Sequence, residues 1–190
     1  MLKKILISRV RIRILEKYLL NPNSSFHVRG LVRELNEEIN AVRRELINLE
    51  SAGLLKSKKD KNMIVYTLDN SSDYITELRT LFFKNSKMGS KVVERIKGID
   101  NLEAVVLTES FLSGKDNSAE DIDMLFLGNI RVKDVKDVVN ELEKDLEREI
   151  RATAMKQEDF EFAKKKKDPV ITNLLNQKLI QVYGDLTDLL

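Results

Sequence analysis

Apolar residues in the first third of the chain recur at helical spacing. Ile7, Val10, Ile14, Tyr18 and Leu19 fall three and four residues apart, which predicts a helix with one apolar stripe. Asn21-Pro22-Asn23 is a turn signal that should stop it. Ser24 or Ser25 is placed to cap a short second helix with Val28, Leu31, Val32 and Leu35 inward. Asn36 suits the left-handed residue that closes a helix. A third helix then carries Ile39, Val42, Leu46 and Leu49 inward and ends near Gly53. From Leu54 to Leu68, two β-prone runs flank a polar, lysine-rich tip, the pattern of a hairpin.

Residues 71–98 return to helical spacing. Tyr74, Leu78, Leu81 and Phe82 form one stripe, Asn85-Ser86 and Gly89-Ser90 interrupt it, and Val92, Val93 and Ile96 continue in a new helix ending at Gly98. The stripe either packs on a second domain or pairs with its copy in a homodimer, and the dimer is preferred because two-fold proteins read two half-sites. Leu102 to Leu107 reads as a buried strand, Thr108 to Glu120 as a loop, and Asp121 to Gly128 as a strand opening with two carboxylates. A helix follows with Val132, Val135, Val138, Val139, Leu142 and Leu146 inward, and Ile150, Ala152 and Ala154 alternate as a third strand. The remainder reads as one or two short helices, with room for a small strand from Leu179 to Val182. The fold class expected from this order is mixed α+β.

Composition narrows the chemistry. The 190 residues include no cysteine and one histidine, His27. Disulfides, thiolate metal sites and cysteine nucleophiles are excluded, and a serine–histidine triad is disfavoured. With no second histidine to share a metal, His27 reads as a surface or capping residue. No apolar run approaches the roughly 20 residues of a membrane span, and the charged start does not resemble a signal peptide. The expected location is the cytoplasm, away from membranes. The net charge is only +2, but it divides into +6 over residues 1–70 and −4 over residues 71–190. That asymmetry suggests a basic binding module joined to an acidic one.

Three helices, the last two joined by a tight turn, and then a basic hairpin make the plan of a winged helix-turn-helix. The stretch HVRGLVRELNEEINAVRRELINLESAGLLKSKKDKNMIVYTLD resembles the winged-helix domains of small prokaryotic transcription regulators of the ArsR type, over about residues 5–69. The resemblance implies a DNA-binding regulator whose third helix enters the major groove. Asn40, Arg43, Arg44 and Ile47 lie largely off the inward face of that helix, whose early residues could read bases: arginine on guanine, asparagine on adenine. Lys56, Lys58, Lys59 and Lys61 on the wing, with Arg29 and Arg33 on helix two, would meet phosphates. The competing reading is that Arg43 and Arg44 pair with Glu45 or Glu50 and that the lysines are only solvated. Glu37 and Glu38 stand where such regulators more often have an apolar residue and a serine, and acids there would repel phosphates. Thiol-based metal sensing is excluded by composition.

The second half, over about residues 86–184, resembles the minimal nucleotidyltransferase domain of the polymerase-β superfamily. Ser110, Gly114 and Asp121 keep that family's spacing, and Asp121-Ile122-Asp123 is its acidic pair. The resemblance implies nucleotide binding at Ser110 and Gly114 and magnesium on Asp121 and Asp123, two carboxylates on one strand face. Two departures weigh against catalysis. Glu109 replaces the glycine before the serine, where a carboxylate crowds and repels a triphosphate. The third metal carboxylate is missing, its best-matched positions being Arg151 or Thr153, with Glu149 one register away. The competing reading of Asp121 and Asp123 is a structural pair closing a loop. Lys164 to Lys167 read as a solvated helix face or a contact for DNA or ligand.

The domains expected are a winged helix over 1–70, a connector helix over 71–85 and a nucleotidyltransferase-like domain over 86–190. The leading function is a DNA-binding transcription regulator, needing no cofactor, whose second domain is an inactive relative serving sensing, dimerisation or partner binding. One alternative is an active magnesium-dependent nucleotidyltransferase targeted by its winged helix. Another is a protein-interaction adaptor.

Overall fold

The computed structural model describes residues 6–21, 23–113 and 121–184. The fold is mixed α+β, with nine helices and seven strands among the described residues. The chain divides into two compact units, residues 1–85 and 86–190.

In the first unit, helix α1 (Arg9–Leu19) starts at Ser8, whose side chain accepts from the Arg11 N–H. Ile14, Leu15, Tyr18 and Leu19 are buried, while Ile7 lies before the cap and is fully exposed, outside the stripe expected of it. Ser24 and Ser25 do not cap a helix. Ser25–His27 forms a short strand, β1, and helix α2 (Val28–Leu35) begins directly after it. His27 stands at the cap position but makes no side-chain cap bond. Asn36 closes α2 in the left-handed region at φ 48. Helix α3 (Ile39–Ser51) buries Val42, Leu46 and Leu49, and Gly53 at φ 70 turns the chain out of it.

The hairpin of β2 (Leu55–Asp60) and β3 (Met63–Leu68) follows, and β1 pairs antiparallel with β3 to give a sheet of order β1-β3-β2. Helix, strand, helix, turn, helix and hairpin in this order make the winged helix-turn-helix plan. Helix α4 (Ile75–Asn85), expected as a connector, belongs to this unit. Its Ile75 and Phe82 are buried in the same core as Tyr18 and Leu46, with Leu78 and Leu81 packed against it. The apolar stripe is therefore used within the unit. Tyr74, expected on that stripe, is exposed. Arg79 is fully buried on α4 and donates to the Asn70 side-chain oxygen at 3.3 Å.

The second unit opens with α5 (Lys87–Ile96), capped by Ser86, whose hydroxyl accepts from the Gly89 N–H. Strand β4 (Leu102–Leu107) leads into a five-residue helix, α6 (Glu109–Ser113), in place of the start of the expected loop. Strand β5 (Met124–Gly128) is buried along its whole length and begins after the two aspartates rather than with them. Helix α7 (Val132–Leu146) crosses over to β6 (Ala152–Met155), which pairs parallel with β5. Val135 and Leu142 are its buried positions, and Val132, expected inward, is exposed. Helices α8 (Gln157–Lys166) and α9 (Pro169–Leu175) precede β7 (Ile180–Tyr183). The sheet order is β6-β5-β4-β7. Phe160 of α8 and Ile171 and Leu174 of α9 pack on the face bearing Ala104, Val106, Leu125 and Leu127.

Candidate nucleic-acid interface and the acidic site of the second unit

Helix α3 has one face committed to the core and the opposite one committed to solvent. Asn40, Arg43 and Arg44 are exposed, as is Ile47 between the arginines and the end of the helix. Neither arginine is ion-paired among the described residues. Glu45 is instead taken by α1: Arg11 Nε donates to its carboxylate at 2.8 Å and the Ser8 hydroxyl at 2.7 Å. Burial raises the Glu45 pKa, but the bonds from Ser8 and Arg11, the Arg11 charge and a bond with Asn48 outweigh it, leaving it below the ordinary glutamate value. Glu50 accepts from the Ser57 hydroxyl at 2.6 Å. The two acids that could have occupied Arg43 and Arg44 are thus employed elsewhere.

The acids before α3 also have structural partners. Glu37 is neutralised from α1, by Arg13 at 2.6 Å and Arg9 at 3.7 Å. Glu38 is the helix cap, accepting from the N–H groups of Asn40 at 2.9 Å and Ala41 at 2.8 Å. Those two bonds hold its carboxyl below the usual range, with help from the Arg44 charge. A glutamate therefore performs the capping task of a serine while leaving a negative charge at the helix tip.

Arg29 and Arg33 are exposed on α2, four residues apart. On the wing, cross-strand register sets Lys56 opposite Thr67, Lys58 opposite Val65 and Lys59 opposite Ile64. Side chains alternate along a strand, so Lys56 and Lys58 share one face and Lys59 takes the other. Lys61 occupies the tip at φ 52. Lys56 is held by Asp69 at 3.1 Å, and bonds from Ser71 first, then Lys56, pull the Asp69 carboxyl down to about 2. Lys58, Lys59 and Lys61 are exposed.

In the second unit the residues of the expected nucleotide site have other occupations. Gly114 lies outside the described residues. Glu109 opens α6, and Ser110, in its first turn, is buried. The Ser110 hydroxyl lies 2.5 Å from the Thr108 hydroxyl and donates to the Ile122 carbonyl at 3.2 Å. Asp121 accepts from the Asn173 side chain at 3.0 Å. Asp123 is 5% exposed and accepts from the Arg151 backbone N–H at 2.9 Å and from its Nε at 3.4 Å. Arg151, at the expected place of the third carboxylate, thus brings a positive charge to the second.

Arg148 adds another. It lies over the Phe111 ring at 4.4 Å and donates to the Phe111 carbonyl. Burial lowers its pKa, against the opposing pull of Asp123. Glu149 is exposed, Thr153 lies on β6, and no group of three or more acid or histidine side chains converges among the described residues. Among the described residues, the side chains do not make a two-metal centre. Lys164 to Lys167 are exposed at the end of α8, where positive charge suits the helix dipole.

Several of these partners escape a reading of the sequence. Arg148 carries only the signal of a second arginine three residues before Arg151, and Asn173 lies 52 residues from its partner Asp121.

No protein-family model and no curated protein matches the chain. Among solved structures, reduced HlyU from Vibrio cholerae N16961 is similar at 23% identity over 45% of this chain and 85% of that chain, with a TM-score of 0.37.

Proposed function

We propose that the first unit binds duplex DNA and that the protein is a transcription regulator. The observation that carries this reading is the outward side of α3: Asn40, Arg43 and Arg44 stand exposed on a helix that follows a tight turn. Such side chains can donate to guanine and pair with adenine in the major groove. The exposed Lys58, Lys59 and Lys61 of the wing supply phosphate contacts that fix position. A homodimer belongs to this reading, because two copies read two half-sites at once.

In the same reading the second unit is a nucleotidyltransferase-like module that transfers nothing and serves a ligand or partner. Asp123 is compensated by Arg151, so the divalent charge that organises nucleotidyl transfer has an arginine competing for its ligand. Transfer of label from a nucleoside triphosphate with magnesium, lost on Asp121→Ala with Asp123→Ala, would remove this part and leave the DNA reading standing.

The test of DNA binding is fluorescence anisotropy of the full chain with a pool of random duplexes, from 50 mM salt upward. Binding should be strong at low salt and fall linearly in log–log form as counterions compete. No binding even at 50 mM salt overturns the proposal.

A further inference from the structure

Resting on the DNA-binding reading, one residue of the outward α3 face stands out because it is not polar. Ile47 is 52% exposed although α3 has a core to bury apolar side chains in. At about 100° per residue, Ile47 falls within about 20° of Asn40 around the helix, with Arg43 and Arg44 about 40° and 60° to either side. It therefore lies on the centre line of the exposed face, between two cations that have no ion-pair partner among the described residues. A phosphate-binding surface gains nothing from a branched hydrocarbon at its centre. A base-reading surface does, because the thymine 5-methyl is the apolar group that the major groove displays.

We infer that Ile47 is a specificity-determining residue, packing against the 5-methyl of a thymine beside the bases reached by Arg43 and Arg44. Three to four residues of helix rise about 4.5–6 Å. Stacked bases on one strand are about 3.4 Å apart. The thymine thus belongs one or two steps from the arginine-read position. Asn40, two turns earlier on the same line, would read towards the other end of the site.

The experiment starts from a duplex selected from the random pool by the full-length protein. Each thymine is replaced in turn by uracil, which keeps the hydrogen-bonding edge and lacks only the methyl. One replacement should weaken binding about fourfold, the effect of one buried methyl-sized group. Ile47→Ala should weaken binding to the thymine duplex by a similar factor and erase the difference between thymine and uracil at that position. Ile47→Val should keep part of it. Ile47 is exposed, so neither variant threatens folding. Binding that tolerates every uracil replacement, or an Ile47→Ala protein that stays fully sensitive to the same replacement, overturns this inference while DNA binding itself stands. Failure to select any duplex overturns the DNA-binding reading and this inference with it.

Discussion

Glu45 is bonded to Arg11, across α1 and α3, and not to Arg43 or Arg44 beside it on its own helix. The pair locks the third helix onto the first, on the buried side of α3 away from the outward arginines. Glu45→Ala should destabilise the first unit by about 1–2 kcal/mol, less than the loss for a fully enclosed pair because Arg11 reaches solvent. Urea denaturation measures it. The Glu45 pKa is lower folded than unfolded, so its contribution is present above the ordinary glutamate value and is lost as pH falls through the lowered one. Glu45→Ala should therefore flatten the acid limb of the stability profile.

Glu38 gives a second test, in which stability and affinity are separable. Glu38→Ser keeps a side-chain acceptor for the Asn40 and Ala41 N–H groups and removes the charge at the helix tip. DNA affinity should rise about two- to fivefold, the scale of one charge at a helix end. Glu38→Ala should show the gain in affinity together with a lower melting temperature. Unchanged affinity in both variants would place the helix tip away from phosphates.

The wing and the helix should differ in what they lose. Replacing Lys58, Lys59 and Lys61 by alanine should lower affinity for all duplexes alike and reduce the salt slope by about 0.9 for each phosphate contact removed. Arg43→Ala or Arg44→Ala should instead relax sequence preference at one position. Anisotropy titrations on a panel of single-base variants separate the two behaviours.

Alkaline pH should reach the first unit through Tyr18. Burial first, and then the proximity of Tyr66, raise its phenol well above the ordinary value of 10.0. The folded pKa lies above the unfolded one, so the contribution is complete below pH 10.0 and is lost as pH rises toward the raised value. Tyr18→Phe should cost about 0.5–1 kcal/mol at neutral pH, from the bond to the Tyr66 carbonyl at 3.3 Å. It should also weaken the alkaline fall, leaving the smaller part that arises from Tyr66, whose pKa is raised by burial. Denaturation at pH 8 and pH 11 gives both numbers.

Gly128 is the sharpest steric point in the second unit. Its φ is 142, and a Cβ there would lie 2.3 Å from the Asn101 carbonyl oxygen and 3.0 Å from the Glu103 nitrogen, both backbone atoms. Gly128→Ala should destabilise that unit by about 2–4 kcal/mol. Hydrogen exchange over residues 102–107 and 124–128 should accelerate accordingly.

The sequence yields those elements whose cause is local. The left-handed Asn36, the Gly53 turn and the buried face of α3 follow from residue type and spacing within one helix. The strand Ser25–His27 is invisible because three residues carry no periodicity, and its existence depends on pairing with Val65 to Thr67. Ser25 goes to the sheet and Ser24 lies before it, so neither serine acts as a cap. The α4 stripe is legible as apolar, but its destination is not, since the core that receives it is built from residues 12–68. Arg79 breaks that stripe by charge and is buried nonetheless. Among the candidate site residues, the exposure of Arg43 and Arg44 follows from helical phase, but the bonds that hold buried Glu45 come from Ser8 and Arg11, far away in the chain. The position of Arg151 was readable, but not that its guanidinium turns toward Asp123.

The sheet of the first unit also sets an order of events during synthesis. Ser25 pairs with Thr67, roughly 40 residues later, while β2 and β3 are joined by a tight turn. The wing strands are neighbours in sequence, but β1 has no partner strand until β3 has been made. Helices α1 to α3 all precede β3 in the chain, so β1 stays unpaired while they are made. The basic surface is therefore complete only once the wing and the strand that pairs with β1 have both been made.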